Sequence, residues 1–125
     1  MNKNFAITPI VSDFNLDGYP DLIYANLDGK VRAYLNEGGD ESYIAFRFAE
    51  NARHAGSHVK LTFDDGSMLS DVYVIGDGLA SDQTSTLTFG LGDQGRKPVS
   101  AEIRYPGGET KQISNPEINK VHMIK

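Results

Sequence analysis

Apolar residues in this chain fall in short alternating or β-branched runs separated by Gly, Asp and Asn, the pattern of strands and tight turns rather than of helices. Ile7-Thr8-Pro9-Ile10-Val11 and Leu22-Ile23-Tyr24-Ala25 read as two strands flanking a polar stretch from Asp13 to Asp21. Asn26-Leu27-Asp28-Gly29 follows, and its Asp-Gly pair is a strong hairpin signal. Lys30–Leu35 is the returning strand. The polar, Gly-rich Asn36-Glu37-Gly38-Gly39-Asp40 marks a candidate boundary, which divides the chain into residues 1–40 and 41–125.

The second region repeats the strand pattern with a different texture. Tyr43–Ala49 alternates into a strand, Glu50–Ser57 is a polar connection, and His58–Phe63 and Ser67–Ile75 flank Asp64-Asp65-Gly66, a second hairpin turn. A loop from Gly76 leads into Thr86–Gly92, where Leu87, Phe89 and Leu91 share one face and are core candidates. Val99, Ala101, Ile103 and Tyr105 repeat that alternation before Pro106-Gly107-Gly108 turns the chain into Glu109–Ile113, and Val121–Ile124 closes the region. About seven strands in roughly 85 residues predict an all-β fold, an antiparallel β-sandwich or small barrel.

The stretch Asp13-Phe14-Asn15-Leu16-Asp17-Gly18-Tyr19-Pro20-Asp21 places oxygen-bearing side chains at alternate positions, with Gly after the third and a further acid four residues beyond it. Ca²⁺ takes six to eight hard oxygen ligands, so a short chain must coil back on itself to supply them. The predicted ligands are Asp13, Asn15, Asp17, the backbone carbonyl of Tyr19, and Asp21. An EF-hand is a poor match. Its loop carries a bidentate Glu at position 12, where this chain has Tyr24, and its flanks are helices rather than β-branched runs.

Composition narrows the function classes. Hydrophobic content of 39% with 23% charged residues belongs to a folded domain rather than a disordered chain. A net charge of −5 argues against a nucleic-acid partner, whose phosphates call for a basic face. No apolar run is long enough for a membrane-spanning helix, so membrane insertion is not expected, and the N-terminal residues do not resemble a secretory signal. Cysteine is absent, which leaves the redox compartment unread from disulfides.

Two resemblances follow from these residues. Ile10 through Ile23, with its Asp-x-Asn-x-Asp-Gly-x-x-Asp core, resembles an FG-GAP/VCBS-type repeat, the calcium-loop motif of β-propeller blades. It covers about residues 5 to 39. One copy cannot close a ring, since such repeats need several units, so residues 1–40 read as part of a blade whose remaining propeller lies in a longer chain. From about Glu41 onward the chain resembles the ASPIC/UnbV domain. The residues that carry this are Gly78-Leu79-Ala80-Ser81-Asp82-Gln83, Leu87-Thr88-Phe89-Gly90-Leu91-Gly92, and Val99 through Gly108. Tyr105 stands where that family usually has Trp, and Ala55-Gly56 where it has Gly-Ala. The resemblance implies a secreted, extracellular or periplasmic protein, calcium in the repeat and no catalytic residues.

His54, His58 and His122 suggest zinc, but the first two sit where a loop enters a strand, so their spacing sets no common direction. Ser81 and Ser85 lack a nucleophile elbow. A hydrolase would need paired carboxylates, for which Asp77, Asp82 and Glu102 are the candidates. A carbohydrate-binding module is the other alternative, with six Tyr and six Phe as stacking residues and the loop Asp77–Ser85 as the recognition surface. The expectation is a non-enzymatic, calcium-binding interaction or adhesion module of a larger protein, with a protein or glycan partner.

Overall fold

A computed structural model describes residues 6–49, 51–76, 84–92 and 95–125. The chain divides into two compact units, Met1–Gly39 with Ile75–Thr84, and Asp40–Val74 with Ser85–Lys125.

In the first unit β1 (Ala6–Ser12), β2 (Asp21–Asn26) and β3 (Arg32–Tyr34) form an antiparallel sheet in that order. Pro9 is accommodated because β1 is an edge strand, where a missing N–H breaks no ladder between two neighbours. Ser12 pairs with Asp21, so the polar stretch between them is the β1–β2 connection. Tyr24 and Tyr34 meet edge to face at 6.0 Å across β2 and β3. Few residues of this sheet are deeply buried, and Val11, Leu27, Val31 and Leu35 are exposed.

The second unit is a β-sandwich. One sheet has the order β10-β4-β7, from β4 (Tyr43–Phe48), β7 (Thr86–Gly90) and β10 (Lys120–Ile124). The other has the order β6-β5-β8-β9, from β5 (His58–Phe63), β6 (Met68–Val72), β8 (Pro98–Arg104) and β9 (Thr110–Ser114). Alternation puts Ile44, Phe46 and Phe48 of β4 into one core with Val59, Leu61 and Phe63 of β5. Leu87, Phe89 and Leu91 join them, as the sequence predicts, along with Ala101, Ile103 and Ile124. Phe46 meets Phe89 edge to face at 6.0 Å, and Phe48 stacks on Tyr73 at 5.1 Å and 7°.

Several details depart from the sequence expectation. Val99 shares the parity of Ala101 and Ile103 but is 38% exposed. Thr62 pairs with Ser100 and Phe63 with Pro98, which leaves Val99 as the extra residue of a bulge. The strand expected over Ser67–Ile75 is confined to Met68–Val72. The polar connection after β4 contains a 3₁₀ turn, Ala52–His54, capped by the Asn51 side chain, which accepts from the Arg53 N–H. Finally, β10 runs parallel to β4, a pairing that no local turn could encode.

Candidate functional site

The β1–β2 loop is wound around its own oxygens. Asp13 Oδ1 accepts from the Asp17 N–H at 3.0 Å and Oδ2 from the Gly18 N–H at 3.0 Å. Asp17 Oδ1 accepts from the Tyr19 N–H at 2.9 Å, and Asn15 Nδ2 donates to Asp17 Oδ2 at 2.7 Å. Two left-handed residues make this winding possible, Leu16 at φ 62° and Gly18 at φ 94°. The glycine adopts that conformation without steric cost, whereas Leu16 does not, and nothing in the local sequence flags Leu16.

Asp21 is placed differently from Asp13 and Asp17. It is 2% exposed, its Oδ2 accepts from the Phe14 N–H at 2.8 Å, and its Oδ1 accepts from the Asn36 N–H at 2.7 Å. The Asn36 amide holds its carboxyl below the usual carboxylate range, helped by the amides of Phe14 and Asn15 and opposed by burial. Asp21 therefore braces the loop against the segment after β3. Tyr19 adds a second brace: its hydroxyl donates to the Gly39 carbonyl at 2.6 Å, and its ring lies 2.9 Å from where a Cβ on Gly38 would stand. The Gly-rich stretch that sequence marks as a boundary is thus also the seat of Tyr19.

The loop thus gathers Asp13, Asn15 and Asp17 on one turn and turns Asp21 toward backbone amides. Among the described residues no three His, Cys, Asp or Glu side chains converge as a metal-holding group. The donor chemistry still suits a hard cation, because every side-chain donor is oxygen and a carboxylate oxygen carrying one N–H retains a second lone pair. Neither ion pair found among the described residues, Lys60–Glu102 and Lys120–Glu117, involves the loop.

The remaining candidates occupy separate surroundings. His54 Nδ1 lies 3.1 Å from the Ala49 carbonyl, His58 is exposed on β5, and His122 stacks on Phe46 with Nε2 3.0 Å from the Glu117 carbonyl. Asp64 and Asp65 are turn residues: Asp64 accepts from the Lys97 N–H and Asp65 from the Ser67 N–H. Glu102 pairs with Lys60 at 3.1 Å and accepts from Gln112, and Lys60 chiefly lowers its pKa. Asp77, Ser81 and Asp82 lie outside the described residues, as does most of the loop expected to serve recognition. Ser85 offers its backbone carbonyl to the Phe48 N–H at 2.9 Å.

Within the second unit lies a cleft that sequence reasoning missed, an open space of about 370 Å³ lined by Arg53, His54, Tyr105, Gly107, Glu109 and Lys125. Its walls come from three places far apart in sequence: the 3₁₀ turn, the β8–β9 turn and the end of β10. Only the Tyr-Pro-Gly-Gly turn was legible beforehand, as a turn.

Residues 48–125 match the family model described as ASPIC and UnbV. No curated protein matches the chain.

Proposed function

We propose, for a chain that belongs to the ASPIC and UnbV family, a non-enzymatic role as a calcium-binding interaction module within a larger secreted, extracellular or periplasmic protein. Its first 40 residues act as part of an FG-GAP/VCBS-type blade, and the exposed Val11, Leu27, Val31 and Leu35 suit contact with further blades. The observation that carries the calcium reading is the winding of the β1–β2 loop on Asp13, which gathers hard oxygens where no Lys or Arg pairs with them among the described residues.

Asp13, Asn15, Asp17 and the Tyr19 carbonyl would hold the ion, with Asp21 contributing the lone pairs that its amide partners leave. When bound, the ion supplies the positive charge that this turn lacks. Its role is structural: the carboxylates stay close without mutual repulsion, and β1 and β2 remain tied at that end. Such a donor set, without a bidentate Glu at the twelfth position, suits a dissociation constant on the order of 10⁻⁴–10⁻³ M.

The test is a Ca²⁺ titration followed by backbone amide NMR, with Mg²⁺ as control. The expected result is a set of shifts confined to residues 13–21 that Mg²⁺ does not reproduce, because Mg²⁺ demands near-octahedral geometry and sheds water reluctantly. At tenfold excess over the dissociation constant Ca²⁺ should add about 1.4 kcal/mol of stability. Asp17→Ala should abolish that gain. An Asp17→Ala chain with an undiminished calcium response would sink the ligand assignment.

A further inference from the structure

The β1–β2 loop is held in two ways. Residues 13–18 are wound by bonds between near neighbours, from the Asp17 and Gly18 amides to Asp13 and from Asn15 to Asp17, each spanning two to five residues. Residues 19–21 are held from outside, by the segment 36–39 that follows β3. The Tyr19 hydroxyl donates to the Gly39 carbonyl at 2.6 Å, Asn36 Nδ2 to the Pro20 carbonyl at 3.3 Å, and the Asn36 N–H to Asp21 Oδ1 at 2.7 Å, across 15 to 20 residues of chain. Three consecutive loop residues thus bond to one short strap.

The strap is shaped for this contact. Residues 36–39 lie outside every strand, and Asn36, Glu37 and Gly39 are exposed, so no sheet ladder fixes their path. Asn36 Oδ1 accepts from the Gly38 N–H at 3.0 Å, a turn that asparagine favours, and it curls the strap on itself. Gly38 then takes a φ of +72°, and its missing Cβ leaves room for the Tyr19 ring, 2.9 Å from where that atom would stand.

The ligands assigned to calcium come from both halves of the loop. Asp13, Asn15 and Asp17 belong to the self-wound half, the Tyr19 carbonyl and Asp21 to the strapped half. Asp21 spans the two, since its Oδ2 accepts from the Phe14 N–H at 2.8 Å. A cation that takes six to eight oxygens has to draw on both halves at once. We propose that residues 36–39 are a positioning strap for the calcium site, docked through Tyr19, Pro20 and Asp21, so that the ion and the strap tighten one another. With the strap docked, the Tyr19 carbonyl and the Asp21 carboxylate are already in place, and binding orders less of the chain. With it released, the ion must order both donors itself. A ligand that prefers the docked state favours docking by the same factor. The strap ends at Gly39, where the chain first passes into the second unit, so calcium also firms the path by which it leaves the first. The ion belongs to the function proposed above, and the coupling rests on that reading.

The test uses the full chain. Amide hydrogen exchange is followed by NMR in chelator and in saturating CaCl₂. Exchange at the Asn36 and Gly38 amides should slow about fivefold or more with Ca²⁺, the low end of couplings between sites, while their chemical shifts hardly move because the strap is docked in both states. Two variants then loosen the strap without removing a ligand atom: Tyr19→Phe combined with Asn36→Ala, which deletes three of its bonds, and Gly38→Ala, which crowds the Tyr19 ring. Each should weaken Ca²⁺ about fivefold or more, titrated by the shifts of residues 13–18. Asn26→Ala loses a bond to the Lys30 carbonyl at the far end of β2 and should leave the affinity unchanged. Calcium shifts at residues 13–18 with unaltered exchange at Asn36 and Gly38 would overturn the strap alone, as would undiminished affinity in both variants or an equal loss in Asn26→Ala. No calcium shifts at residues 13–18 in the unmodified chain would overturn the calcium reading and the coupling together.

Discussion

Phe48→Ala puts the sandwich to its most direct test. Phe48 is 1% exposed, lies at the end of the central strand β4, and stacks parallel on Tyr73 at 5.1 Å while also underlying His54. Truncating a buried phenyl ring costs about 3–5 kcal/mol, from lost transfer free energy together with the cavity left behind. Against a total stability of about 5–15 kcal/mol for a domain, this is a large fraction. With a urea slope of about 1.5 kcal/mol per molar, the unfolding midpoint should fall by roughly 2–3 M. The assay is equilibrium urea unfolding followed by near-UV circular dichroism, where six Tyr report without Trp interference and Tyr73 lies on the mutated ring. Phe14→Ala is the control, because Phe14 is 45% exposed and its truncation should stay within about 0.5 kcal/mol. A midpoint shift below about 0.5 M for Phe48→Ala, or equal shifts for the two variants, would refute the packing argument.

Further outcomes follow from single residues. Gly38→Ala should destabilise the first unit by more than about 1 kcal/mol, since φ is +72° and the new Cβ would stand 2.9 Å from the Tyr19 ring; Gly90→Ala, with open space and no positive φ, should be neutral or slightly stabilising by thermal melt. Ser57→Ala should raise stability by about 1 kcal/mol, because the fully buried Ser57 hydroxyl has no hydrogen-bond partner among the described residues; a loss instead would mean that the hydroxyl is satisfied. Asp21 has a folded pKa below its unfolded value of about 3.9, so the unfolded chain binds more protons and stability rises with pH through that range. Its contribution is fully present above the unfolded pKa and is lost as pH falls through the folded one. Asp21→Asn should therefore flatten the acid limb of the stability profile, at and below the ordinary carboxylate range, and an unchanged acid limb would exclude Asp21 as its source.

The predictions divide along a line visible in the fold itself. Alternation of Leu87, Phe89 and Leu91, and of Ala101 and Ile103, was enough to place these residues in a core, because in a strand a side chain's face follows from the parity of its position. Turn chemistry was equally local, so Asp64-Asp65-Gly66 could be read as a hairpin tip from three residues. The spacing of Asp13, Asn15 and Asp17 and the glycine at position 18 were legible in the β1–β2 connection, whereas the left-handed φ of Leu16, on which the winding also depends, was not. What no local pattern encodes is a relation between distant segments. The parallel pairing of β10 with β4, the bulge that exposes Val99, the commitment of Asp21 to the Asn36 amide, and the meeting of Arg53, Tyr105 and Lys125 at one cleft depend on which segments the core brings side by side. Backbone stereochemistry and turn residues determine elements one at a time; the joint burial of their apolar faces determines which side chains share a site.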